Sequence, residues 1–105
     1  MITQVNAENL KKLVEEENVM VFDVRQENEF ISGHMETAQN TPLDCLNDYL
    51  GHYPKNRSFY IHCAGGYRSV IAASILKKRG IINLIDIKGG FKAIKETQIK
   101  LTDSI

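Results

Sequence analysis

Tyr60-Ile61-His62-Cys63-Ala64-Gly65-Gly66-Tyr67-Arg68-Ser69 joins two unlike patterns. An apolar run over 58–62 reads as a strand ending at a cysteine, two glycines follow, and a second apolar run from Ser69 to Arg79 reads as a helix. A thiol placed where a strand stops and a helix starts faces that helix's free N–H groups and the positive end of its dipole. Such a setting favours the thiolate, which is the nucleophilic form. Gly65 and Gly66 permit positive φ, so the loop amides can turn inward as an anion nest around the sulfur. The plainer alternative is a buried structural cysteine beside an ordinary turn. The glycines, Arg68 and the helix start together favour a reactive Cys63.

Upstream, Ile2 to Val5 reads as a short strand. Asn6 caps a helix running to about Glu16, with Leu10, Leu13 and Val14 as its apolar stripe and Lys11 and Glu15 spaced to pair outside. Val19 to Val24 is a continuous apolar run leading into Arg25, as a buried parallel strand reads. A short helix over Glu27 to Ile31 stops at Gly33. Ala38 to Thr41 is a brief strand before Pro42, Leu43 to Leu50 a short helix, and residues 51–56 a turn. Downstream, Lys77, Lys78 and Arg79 complement the C-terminal dipole of the helix from Ser69, and Gly80 ends it. Leu84 to Ile87 is another strand, Gly89-Gly90 a turn, and Phe91 to about Ile99 a last helix, with frayed residues after it. Strands alternating with helices imply an α/β domain with a mostly parallel sheet covered on both faces. Ligands in such sheets sit at the carboxyl ends of the strands, where Cys63 falls.

The 105 residues make one domain over 1–105, with 43% hydrophobic and 25% charged residues as in an ordinary soluble protein. No apolar run approaches the roughly 20 residues of a membrane span, and no secretory leader pattern opens the chain. Two cysteines, Cys45 and Cys63, form no disulfide framework and no zinc spacing, which fits a reducing, cytoplasmic setting with neither metal nor cofactor. Formal net charge is zero, so bulk charge gives no case for nucleic acid. Its distribution is uneven: residues 1–53 carry three Lys/Arg and ten Asp/Glu, and residues 54–105 the reverse. Folding interleaves the halves, but the pattern permits a cationic rim near Cys63 that attracts small anions.

Four stretches in order resemble the rhodanese (sulfurtransferase) domain in its small single-domain form. Phe22-Asp23-Val24-Arg25, followed by Glu29-Phe30, is similar to the family's strand ending in Asp-Val-Arg. Residues 33–42, Gly-His-Met-Glu-Thr-Ala-Gln-Asn-Thr-Pro, resemble its Gly-His-Ile-x-Gly-Ala-x-Asn-Ile-Pro segment. Cys63 to Arg68 resembles the active-site loop, and Lys88-Gly89-Gly90-Phe91 the turn before the last helix. Thr37 and Thr41 depart from the pattern, and Phe91 stands near an aromatic that is often Trp; these touch packing rather than chemistry. The resemblance implies a rhodanese-like, five-stranded parallel core with helices on both sides, and sulfur transfer through a Cys63 persulfide.

The residues carry a matching chemistry. Cys63 as thiolate attacks the outer sulfur of a small anionic donor such as thiosulfate or a low-molecular-weight persulfide, and a thiol or cyanide acceptor removes it. Ala64, Gly65, Gly66, Tyr67, Arg68 and Ser69 form the substrate-binding loop, whose amides stabilise the persulfide anion. Arg68 has two readings of similar weight: guiding the donor or holding the loop, or an ion pair to Asp23 or Glu29. Asp23 and Arg25 read as a supporting network, with Arg25 in reach of substrate. His34 reads as a hydrogen-bonded structural residue. His62 should point away from Cys63, and Cys45 is a small residue on a short helix. Tyr67 stays open between shaping the mouth and meeting a partner.

The rival enzyme is a phosphatase or arsenate reductase of the Cys-loop-Arg type. Four residues separate Cys63 from Arg68, against five in that pattern, and the shorter ring suits one sulfur better than a tetrahedral oxyanion. A non-catalytic docking or thiol-sensing module is the other alternative. Domains resembling this one are also joined to sulfur-handling domains such as persulfide dioxygenases, so fusion to or docking with such a domain is a further expectation. No nucleic acid or membrane partner is implied.

Overall fold

The computed structural model describes residues 2–103. Its elements are β1 (Gln4–Val5), α1 (Ala7–Glu16), β2 (Val21–Asp23), α2 (Glu27–Ser32), β3 (His34–Met35), β4 (Ala38–Asn40), a 3-10 segment (Leu43–His52), β5 (Phe59–His62), α3 (Arg68–Lys78), β6 (Leu84–Ile87), α4 (Gly90–Lys95) and β7 (Leu101–Thr102). The main sheet has the order β1-β6-β5-β2-β4, and every pairing in it is parallel. The chain leaves β2 toward the β4 side and β5 toward the β6 side. The two central strands therefore flank the point where strand order reverses, and a crevice opens at their carboxyl ends.

Alternation along the strands sorts the core into two layers. Phe22, Phe59, Ile61 and Cys63 face Ala72, Ala73 and Leu76 of α3 and Leu46 of the 3-10 segment. Val21, Tyr60 and Ile87 face Ala7 and Leu10 of α1 and Phe91 and Ile94 of α4. Asn6 caps α1, its side chain accepting from the Asn9 amide at 2.8 Å, and Lys11 pairs with Glu15 at 2.9 Å. The α/β architecture with a parallel sheet is the one the alternating pattern implies, and its five strands are the number the family resemblance implies.

Three local expectations change. Leu43–His52 is a 3-10 segment broken at Cys45 (φ −116°, ψ 20°) rather than a short α-helix. Asp44, Asn47 and Asp48 are weak helix formers, and 3-10 geometry serves short pieces of this kind. The last helix ends at Lys95, because the Thr97 hydroxyl donates to the Ile94 carbonyl at 2.7 Å and accepts from the Ile99 amide at 3.1 Å. Finally, Leu101–Thr102 is not frayed: it pairs antiparallel with His34–Met35 in a second, two-stranded sheet. Residues 104–105 lie outside the described residues.

Two contacts fix the helices that surround the crevice. Glu29 of α2 takes both ends of the Arg68 guanidinium at 2.7 and 2.9 Å, tying α2 to the first residue of α3. The start of α4 closes on the chain leaving β5, where the Phe91 amide donates to the Cys63 carbonyl at 2.7 Å and the Lys92 amide to the Ala64 carbonyl at 3.0 Å. Gly90 makes that approach possible. Its φ is +61°, and a Cβ there would lie 2.6 Å from the Cys63 oxygen and 2.7 Å from the Ala64 oxygen.

Gly90→Ala should therefore cost about 1–3 kcal/mol, seen as a fall in thermal midpoint on the order of 10 °C. Gly65→Ala, where a Cβ meets nothing within 4 Å, should stay within about 0.5 kcal/mol of the parent. Equal effects would refute the close-approach account. Arg68 holds the Glu29 carboxyl down to about 2, against an ordinary 4.5. A depressed carboxylate stabilises the fold fully above about pH 4.5 and loses that contribution as pH falls toward about 2. The midpoint gap between the parent and Glu29→Gln should thus narrow from pH 7 to pH 3; a constant gap would remove the ion pair as its cause.

Candidate active site

Cys63 follows the last residue of β5 and is 1% exposed. Its Sγ accepts from the Gly66 amide at 3.2 Å and lies 3.6 Å from the Ser69 hydroxyl, itself buried in the first turn of α3. Gly66 supplies this amide from φ +103°, which a side chain would resist. Gly65, expected to share that role, has no positive φ. The peptide plane accounts for more of the loop. A carbonyl and the following N–H point in opposite directions. With the Cys63 and Ala64 carbonyls held by the Phe91 and Lys92 amides, the N–H groups of Ala64 and Gly65 point away from α4.

Beneath the loop, the ends of the two central strands carry a polar cluster. Asp23 is fully buried and takes Arg25 through its amide at 2.9 Å, Nε at 3.0 Å and Nη2 at 2.7 Å. The same Nη2 donates to the Gly33 carbonyl at 2.7 Å, and the guanidinium lies 4.1 Å over the centroid of Phe91. Asn40 donates to the carbonyls of Asp23 and Arg25 at 2.9 and 3.0 Å. Asp23 and Arg25 therefore couple strand end, α2–β3 turn and α4, and Arg25 also borders the open crevice.

His62 points to the opposite layer from Cys63, stacked near Phe91. Its Nδ1 is 3.0 Å from the Cys63 carbonyl, so that nitrogen must carry the proton for a hydrogen bond to exist. Burial pushes its pKa below the usual imidazole value, against the opposing pull of Asp23, whose Oδ2 lies 3.9 Å from Nε2. Its geometry is that of a brace on the nucleophile's own carbonyl. His34 stacks on Phe30 at 3.6 Å and bonds its carbonyl at 2.7 Å, a structural role as expected.

Of the two readings of Arg68, the structure shows the ion pair, and its partner is Glu29 rather than Asp23. Tyr67 is 81% exposed at the loop's outer side. Cys45 is exposed and unbonded; the Asp44 and Asp48 charges push its thiol pKa up. Among the described residues no group of three or more His, Cys, Asp or Glu could hold a metal ion, and no helix is long and apolar enough to cross a membrane.

A cavity of about 620 Å³ opens against the loop at Ala64 and Gly65, between Arg25, Phe91, Lys92 and Lys95. Sequence reasoning missed Lys92 and Lys95. The signal lay in their spacing behind Gly89-Gly90, once that turn is known to abut the loop.

Known proteins resemble this chain in sequence and fold. The chain is 36% identical over 89 residues to the uncharacterized YqhL of Bacillus subtilis, covering 79% of this chain and 71% of that protein. It is 31% identical over 106 residues to a tRNA uridine(34) hydroxylase of Buchnera aphidicola, with 93% of this chain matched, but it spans only 34% of that protein's length. It is 28% identical over 92 residues to the thiosulfate sulfurtransferase GlpE of Shewanella oneidensis, covering 88% of this chain and 91% of that one. Among solved structures, a rhodanese-like domain protein from Staphylococcus aureus superposes with a TM-score of 0.86 at 30% identity, over 94% of this chain and 97% of that one. Residues 6–97 match the Rhodanese-like domain, and the chain belongs to that family.

Proposed function

We propose that the protein is a sulfurtransferase that moves a sulfane sulfur from thiosulfate or a low-molecular-weight persulfide to a thiol or cyanide through a persulfide on Cys63. The observation that carries this reading is the Gly66 amide donating to Sγ, with the Ser69 hydroxyl in reach of the same sulfur, at the start of an eleven-residue helix. The thiol donates to Ser69; once it is ionised the hydroxyl can turn and donate in its place, so that both groups stabilise negative charge there, and the helix dipole adds to them. Similarity to GlpE supports the reaction class.

The Cys63 thiolate attacks the outer sulfur of thiosulfate. A bond forms from Sγ to that sulfur, the S–S bond of the donor breaks, and sulfite leaves with the electron pair. An acceptor thiolate or cyanide then attacks the outer sulfur and the pair returns to Sγ, giving an organic persulfide or thiocyanate. In this scheme Ala64 to Ser69 surround the transferred sulfur. Arg68, held by Glu29, shapes the loop rather than leaving it for the substrate. Asp23 and Arg25 keep the strand ends in register beneath it. No metal or cofactor enters these steps. A reducing compartment such as the cytoplasm supplies the thiol acceptor, and a partner or fused sulfur-handling domain is a compatible source of the donor.

Intact-protein mass spectrometry after incubation with thiosulfate or glutathione persulfide should show one added sulfur atom, removed again by cyanide. Cys63→Ser should add none and should lose at least about a thousandfold in transfer rate. Full activity in that variant would end the assignment. Phosphate-ester hydrolysis without sulfur uptake would move it to the Cys-loop-Arg phosphatases.

A further inference from the structure

Lys92 and Lys95 stand on the exposed side of α4, at the rim of the cavity that meets the catalytic loop. Neither has a carboxylate partner among the described residues, whereas the third cation there, Arg25, is neutralised by Asp23. The stem of Lys92 begins at the loop itself, since its amide bonds the Ala64 carbonyl. Lys95 lies one turn further, about 4.5 Å along the axis, with its ammonium 5.7 Å from the centroid of Phe91. The result is an apolar ring next to the loop with two uncompensated positive charges beyond it. Thiosulfate holds its anionic oxygens one bond from the transferred sulfur and fills little of about 620 Å³.

We propose that Lys92 and Lys95 form a subsite for an organic thiol or persulfide whose carboxylate or phosphate lies several bonds from its sulfur. The proposal rests on the sulfurtransferase reading and names the substrate class of that same site. The carbon skeleton packs on Phe91, the anionic group meets the two ammonium groups, and the sulfur is directed at the loop. In the acceptor step the thiolate attacks the outer sulfur of the Cys63 persulfide, about 2 Å beyond Sγ. The S–S bond to Sγ breaks, its electron pair returns to Sγ, and the acceptor leaves as its own persulfide with no net oxidation. Charges placed off the reacting atom raise the encounter rate and affinity for anionic acceptors without acting on the bond that breaks.

The test uses the whole chain with Cys63 loaded from thiosulfate, loading being verified by mass. Unloading rates are compared for glutathione, which carries carboxylates, coenzyme A, which carries phosphates, and neutral 2-mercaptoethanol. The Lys92→Gln/Lys95→Gln variant should lose about tenfold with at least one anionic thiol and keep its rate with 2-mercaptoethanol. The larger loss identifies carboxylate or phosphate, and added salt should erase it. Equal losses with all three thiols, or no loss with either anionic one, would overturn the subsite. Should the parent fail to load, the sulfurtransferase reading falls, and binding of unreactive S-methylglutathione and coenzyme A disulfide by NMR titration decides the subsite alone. Binding that the double variant loses would keep it; no binding of either to the parent would dismiss it.

Discussion

Two hydrogen bonds from the start of α4 to the carbonyls of Cys63 and Ala64 fix where the loop after β5 begins. Planar peptides convert a carbonyl pinned on one side into an N–H presented on the other. The start of the loop is thus fixed from outside, while the one amide bonded to Sγ is that of Gly66, further along it. Gly90 is the condition for this closeness, because only a residue without Cβ lets the two backbones meet. His62 reinforces the same carbonyl from the strand. A buried polar cluster around Asp23 and Arg25 then holds α4, the α2–β3 turn and the strand ends in one frame. Buried ion pairs of this kind lose much of their Coulomb gain to desolvation, so their contribution here is arrangement more than net stability.

The position of the site follows from topology. Parallel strands with covered faces leave their carboxyl ends free, and the reversal of strand order between β2 and β5 opens a crevice there. Both strands end in chemistry-bearing residues, Asp23 on one and Cys63 just beyond the other. Chain entry into α3 then adds the unpaired amides of a helix start. The ordering of these elements puts the thiol beside a helix start, and the contacts of α4 and Arg25 then set the local geometry.

Much of this was legible in the chain. Val19 to Val24 and 58–62 showed themselves as buried strands through unbroken apolar runs, and Cys63 through its place between strand and helix. What escaped has physical causes. Two-residue strands such as β3 and β7 carry no period to detect, and their pairing joins residues far apart in the chain. The 3-10 segment has apolar spacing close to that of an α-helix, so the spacing does not separate the two, and its Asp and Asn residues favour the α-helix little. Arg68 could be given two carboxylates by spacing alone; only the placement of α2 selects Glu29. Gly65 and Gly66 look equivalent in sequence, yet just one occupies a backbone region that requires glycine. Lys92 and Lys95 read as a solvated helix face until α4 is docked against the loop.

The second cysteine has a bearing on how such a chain coexists with its own chemistry. On the proposed function each copy of the chain carries sulfane sulfur on Cys63 and also offers the thiol of Cys45 on its surface. An exposed thiolate would intercept the cargo or be oxidised in its place. The Asp44 charge, with the Asp48 charge behind it, pushes the pKa of that thiol up, which disfavours its nucleophilic form, while Cys63 is buried. The two thiols of one chain thus sit in opposite settings, one exposed beside carboxylates and the other enclosed against a backbone amide.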